Sequence, residues 1–233
     1  MSVLKHLKLF VVLLFATFAY SSTASAACTP INSVPFAITS SGQYCLSNNV
    51  QTSGAAGIQI SIGIGNVTLD LGGFSLKCMA AQNAIMTTTS VSNVIVENGT
   101  IRDCNYAVAI NNCTSCSVRN IQAINNSIGI VASGFASRVE NNQIRNDNAS
   151  AGNPAILMDA YASLISSNHI SGSSLGIMNR GKGNVIRANS FGQCGTAIRF
   201  DTRATYQDNL TQLCTTAFSG ADLANSTDAG GNF

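Results

Sequence analysis

Apolar residues in this chain recur at an interval too long for a helix and too regular for chance. A small residue followed by a branched apolar residue or Phe appears as Gly57-Ile58, Ala84-Ile85, Ala107-Val108, Gly129-Ile130, Ala155-Ile156, Gly176-Ile177, Ala197-Ile198 and Ala217-Phe218. Successive copies stand 27, 23, 22, 26, 21, 21 and 20 residues apart. Each of the first seven is followed by alternating apolar positions, a polar kink and a further apolar residue, as in "VTLDLGGFSL", "VIVENGTIRDC", "RVENNQIRN" and "VIRANSFGQC". Alternation of period two predicts strands, and no stretch of any length carries a helical period. Short strands that return every ~22 residues without helices between them must stack as the rungs of a solenoid, each about 4.8 Å above the last.

The alternation also predicts which side chains fill the interior. Ile58, Ile85, Val108, Ile130, Ile156, Ile177 and Ile198 form one inward column, and Ile60, Thr87, Ile110, Ala132, Met158, Asn179 and Phe200 a second. Leu69, Val96, Val118, Val139, Ile165, Ile186 and Tyr206 form a third, joined after the kink by Phe74, Ile101, Ile124, Ile144, Ile170 and Phe191. Three residues beyond the third column come Asn142, Asn168, Asn189 and Asn209. Stacked asparagines can bond amide to amide along the axis, which would satisfy polar groups buried at the turn. Asn209-Leu210-Thr211 is also a glycosylation sequon, but the shared register favours the ladder.

The N-terminus breaks this pattern. Lys5 and Lys8, the apolar run Leu9 to Tyr20 and the small residues of "SSTASAAC" follow the order of a secretory signal peptide. The expected organisation is a leader over 1–26 and one domain over 27–233, with an N-terminal cap at 27–53, coils at 54–218 and a tail at 219–233. The product would be secreted or periplasmic, without a transmembrane segment in the mature chain. Lipidation of Cys28 is disfavoured by Ser25 three residues before it. Loss of Lys5 and Lys8 takes twelve cations to ten, against ten anions. A neutral chain without a basic stripe excludes nucleic acid as a partner. His169 is the one histidine left, too few for a histidine-based zinc site or triad.

Eight cysteines in an exported chain point to disulfides. Cys194 and Cys214 each lie eight residues beyond a third-column residue, so they stack on adjacent rungs within bridging range. Cys78 and Cys104 stack likewise, Cys28 with Cys45 would close the cap, and Cys113 with Cys116 would form a local loop bridge. The Cys113–Cys116 spacing also occurs in redox and metal motifs, but neither a helix nor a second such pair accompanies it.

Together the repeated "GI" and "NVIVENGTI"-like elements, the asparagine register and the leader resemble the right-handed parallel β-helix proteins of the pectate-lyase superfamily, over about Ile31 to Phe218. The resemblance implies an all-β, right-handed parallel β-helix of about eight coils. It also implies that any substrate lies along the outward side of the first strands. There Asp159, Arg180 and Asp201 fall in one vertical column, with Lys182, Arg199 and Arg203 nearby. Lyases of that superfamily use a basic residue to take a proton beside a uronate carboxylate, often with Ca²⁺, and hydrolases use paired carboxylates. Stacking of opposite charges to avoid repulsion explains the same column without chemistry. A second mixed-charge column, Asp70, Glu97, Arg119, Glu140, Ser166, Arg187 and Gln207, supports that explanation.

No catalytic motif transfers: the Asn-Thr-Asp, Gly-His-Gly and Arg-Ile-Lys of polygalacturonases, the Trp-Ile-Asp-His of pectate lyases and the Asp-Pro-His-Asp of mannuronan epimerases are absent. There is no Trp to stack on sugar, and the one notable loop excursion is "NDNASAGNP". Outward Met86, Val131, Leu157 and Met178 leave the middle of the first-strand face apolar. The "NRGKGN" segment, Asn179 to Asn184, is not a phosphate loop, because Gly183 follows Lys182 and no helix follows. Two functions remain in view. One is a non-catalytic β-helix that binds a cell-surface glycan or extracellular partner. The other is a lyase or epimerase on uronate-containing polysaccharide, with Arg180 or Lys182 as base, Asp159 and Asp201 beside it, and Ca²⁺ as a possible cofactor.

Overall fold

The computed structural model describes residues 28–233 apart from 53, 55, 62, 81, 89 and 146–151. The expected leader over 1–26 and most of the "NDNASAGNP" excursion therefore lie outside the described residues. Within them the chain winds as a right-handed parallel β-solenoid of about eight turns. Its only helical element among the described residues is the single-turn 3₁₀ segment Leu223–Asn225. Every recorded pairing is parallel, from Thr29–Ile31 on Gly42–Leu46 to Ala204–Gln207 on Thr227–Asp228.

Three series of strands run the length of the column. Ile58, Ile85, Val108, Ile130, Ile156, Ile177, Ile198 and Phe218 sit opposite one another in successive first strands. From Ile58 to Ile198 this column has no exposed surface. Burying each such side chain contributes roughly 1.5–3 kcal/mol, so the repeated aliphatic column is a principal stabilising element of the coil. The second inward column and the Leu69-to-Tyr206 column are buried as their alternation predicts.

After the kink the register differs from expectation at two positions. The column runs Leu76, Ile101, Ala123, Ile144, Ile170, Phe191, so Phe74 and Ile124 are not members. Gly72 and Gly73, both at positive φ, lengthen the first kink and move Leu76 into the slot. In the rung of Ile124, Ile121 already faces inward at the kink, so alternation turns Ala123 in and leaves Ile124 half-buried beside Arg102 and Arg145.

The kink repeats one solution. Asn141, Ser167, Ala188 and Asp208 adopt left-handed φ values of 56, 57, 54 and 53°, and the asparagine after each turns inward. Asn142, Asn168 and Asn189 each donate Nδ2 to the next Oδ1 at 2.9–3.0 Å, and Asn209 donates to Asn232 at 3.0 Å. Each Oδ1 also accepts the backbone N–H of the rung before, and each Nδ2 reaches a carbonyl of the preceding coil. The amides are thus fully used without water. Toward the N-terminus the same slot holds Ile121, then Gly99, whose Cβ would collide with Leu71.

Four disulfides staple the coils, Cys28–Cys45, Cys78–Cys104, Cys113–Cys116 and Cys194–Cys214, with Cα separations of 5.7, 5.0, 6.0 and 4.4 Å; the cysteines of Cys78–Cys104 and Cys113–Cys116 are buried.

Candidate functional site

The turn after the first strand Leu175–Asn179 is held from below by a buried amide network. Asn179 is fully buried and donates Nδ2 to the Gly181 carbonyl at 3.2 Å and the Thr202 carbonyl at 3.0 Å. Asn184, also fully buried, donates to Asn179 Oδ1 at 2.7 Å, the Ala160 carbonyl at 2.8 Å and the Gly181 carbonyl at 3.0 Å. Thr202 Oγ1 donates to the same Gly181 oxygen at 2.8 Å. A Cβ on Gly181 would overlap the Ala160 carbonyl oxygen, so the turn closes this tightly only with glycine. These contacts fix the backbone that carries Arg180 and Lys182.

Of the four predicted chemical residues, the structure brings two into contact. Asp201 is half-buried and accepts Arg199 Nε at 2.7 Å, with Arg180 Nε 3.7 Å from its other oxygen. Arg180 follows the Met158–Asn179 pair, which places it over Asp159 by register. Asp159 nevertheless makes no ion pair among the described residues, and its side chain is exposed. Asp159 and Asp201 are two rungs apart, roughly 9.6 Å along the axis, with Arg180 between them. That column is an arginine-bracketed carboxylate and a solitary one, rather than a cooperating acid pair. Lys182 points elsewhere, across the turn.

There it joins an edge that sequence reading missed. Phe135 pairs with Tyr161, and the backbone bonds Ala136 N–H to Tyr161 O and Ala162 N–H to Lys182 O carry the same position on to Lys182. Arg203 follows one rung later, just before the Asn184–Ala204 pair. The signal was present in the sequence, since each of the four lies five residues beyond a first-strand Ile. Phe135 and Tyr161 are 53% and 52% exposed, unusually bare for ordered aromatics on neighbouring strands. Beyond them Lys182, Gly183, Arg203, Ala204, Thr205, Asn225 and Thr227 line an open cavity of about 300 Å³. No lining residue is acidic.

The remaining faces are better explained as structure. In the second mixed-charge column Arg119 Nε pairs with Glu97 at 2.7 Å and Ser166 donates to Glu140 at 3.1 Å. On the third-strand face Thr100 donates to Gln122 and Gln122 to Gln143, at 3.2 and 3.0 Å, as an outer polar ladder. Outward on the first strands Met86, Ala109, Val131, Leu157 and Met178 stand in one register, with Met178 itself buried.

A family model described as "Periplasmic copper-binding protein (NosD)" matches residues 37–210. No curated protein matches the sequence. Among solved structures, the full-length tailspike protein 2 (TSP2, ORF211) from Escherichia coli O157:H7 bacteriophage CAB120 is similar at 12% identity and a TM-score of 0.40. That match covers 82% of this chain and 36% of the tailspike, so the chain spans about a third of its length.

The donor set does not fit the copper of the family's description. Copper sites use thiolate, thioether and imidazole ligands. Here all eight cysteines are in disulfides, and His169 stands alone with Nδ1 2.7 Å from Ser190 Oγ. Met158 and Met178 are buried. No group of three or more His, Cys, Asp or Glu gathers among the described residues, which leaves Ca²⁺ equally without a carboxylate cage. Nor, among them, is any helix long and apolar enough to cross a membrane. With a match running through nearly every coil, the chain belongs to the NosD family of periplasmic β-helix proteins.

Proposed function

We propose that this protein is an exported, non-catalytic β-helix that binds a cell-surface glycan along the edge formed by Phe135, Tyr161, Lys182 and Arg203. One observation carries the reading: two half-exposed aromatic rings in strand register run into two cations on the same edge. Aromatic faces bury sugar C–H surface at little entropic cost, and the cations and adjoining hydroxyls supply directional bonds. The membership of a periplasmic family fits an extracytoplasmic location.

Immobilised extracellular polysaccharides, probed with mature protein, test the reading. We expect retention on at least one of them, weakened roughly tenfold or more by Phe135→Ala with Tyr161→Ala. Retention on none, or equal binding by the double variant, would overturn it.

A second reading keeps the lyase or epimerase, because Lys182 has no acidic partner among the described residues and opens onto the cavity. It requires new unsaturated uronate ends, or epimerised residues, that disappear in Lys182→Ala. The arginine bracket on Asp201 favours binding over this chemistry.

A further inference from the structure

We infer that the cavity at the Lys182 end of this edge is an oxyanion site, shaped for a sugar-sized ligand that carries a sulfate, phosphate or carboxylate group. What carries that group rests on the glycan reading above; the anion site stands on its own geometry. Lys182 and Arg203 enter the cavity from successive rungs, and neither has an acidic partner among the described residues. Arg180 and Arg199, by contrast, both spend their charge on Asp201. Two acids flank the lining in sequence without joining it: Asp222 accepts Asn225 Nδ2 at 2.9 Å, and Asp228 accepts Gly230 N–H at 2.8 Å and Asn232 Nδ2 at 2.6 Å.

The cavity floor suits the same ligand. Thr205 and Thr227 pair in register on the last two second strands, and neither hydroxyl has a hydrogen-bond partner among the described residues. Two cations beside two free hydroxyls make a cationic, donor-rich lining, which favours oxygens of negative charge. At about 300 Å³ it exceeds a bare inorganic anion and leaves room for the ring that carries one. The backbone under Lys182 is locked by Asn179 and Asn184, so part of the ordering cost is met before binding.

The test is a titration of ¹⁵N-labelled mature protein with glucose 6-sulfate, glucose 6-phosphate, glucuronate, inorganic sulfate and glucose. The amides of Gly183, Thr205 and Thr227 should shift with at least one charged sugar, less with inorganic sulfate, and not with glucose. The three charged arms identify which oxyanion is preferred. Each charge-assisted contact is worth about a factor of ten or more. Lys182→Ala with Arg203→Ala should therefore weaken the preferred ligand at least tenfold, whereas Arg187→Ala, an exposed cation outside the cavity, should not. Absence of shifts with every anion, or undiminished affinity in the double variant, overturns the site. If polysaccharide is retained but charge makes no difference, the oxyanion site alone fails. If the small anions bind and no polysaccharide does, the glycan reading alone fails.

Discussion

Asn189 shows how much a single side chain carries in a repeating structure. Its Oδ1 accepts the N–H and Nδ2 of Asn168 at 3.0 and 2.9 Å, while its Nδ2 donates to Asn209 Oδ1 and to the Ile165 carbonyl at 3.0 and 3.1 Å. Asn189→Leu fills a similar volume but strands the buried donors of Asn168 and the Ile165 oxygen. Each orphaned group costs about 1–3 kcal/mol, so the variant should lose roughly 3 kcal/mol or more. Denaturant melts of the disulfide-intact protein measure this. Asn232→Ala, at the half-buried end of the ladder, serves as the comparison and should lose about 1 kcal/mol. Equal losses would mean that the ladder does not act through burial. The internal asparagines were legible because they keep one offset from an apolar column. Asn232 was not: Asp228 pairs with Tyr206, and Gly230-Gly231 places the final amide one residue later than the repeat requires.

At the scale of the element, the tight turn from Asn179 to Asn184 sets where the cations stand. Gly181→Ala forces a methyl onto the Ala160 carbonyl oxygen, and the turn must open to admit it. Overpacking of this kind costs about 1–3 kcal/mol. The expected outcome is a destabilised protein whose cavity amides shift even without ligand. A spectrum unchanged outside residue 181 would show that the turn is not closed as described. Strand positions in this element were readable from alternation alone, including buried Asn179. Its partners were not, since they come from Ala160 and Thr202 on adjacent rungs. The same holds for the candidate site. Sequence register placed Arg180 between Asp159 and Asp201, but only the structure shows that Arg199 and Arg180 both engage Asp201. Phe135 and Tyr161 were missed for another reason: alternation reaches them and turns both outward, but facing alone does not show that two rings on neighbouring rungs stay bare and lead to Lys182.

For the whole molecule, the critical region is the last described rungs of the column, where aromatic side chains replace the aliphatic ones that fill the core elsewhere. Phe200, Tyr206 and Phe218 do this as one aromatic cluster, with Tyr206 at 5.0 and 5.1 Å from its two neighbours. Tyr206 is 8% exposed. Burial, reinforced by the charge of Asp228 and a hydrogen bond to it, raises the Tyr206 hydroxyl above the ordinary 10.0. Between the unfolded and folded values the unfolded chain has released a proton that the folded chain keeps. Stability therefore falls with rising pH across that window, and the contribution is complete below about pH 10. Tyr206→Phe retains the ring and removes the proton, so the decline in denaturant midpoint above pH 10 should be shallower than in the parent. Asp228→Asn withdraws the neighbouring charge and lowers only the folded-state value, so the decline should keep its onset but become smaller and end at lower pH than in the parent. If the parent and Tyr206→Phe lose stability in parallel through this range, the aromatic end does not govern alkaline unfolding. The opening step would then lie in the coils.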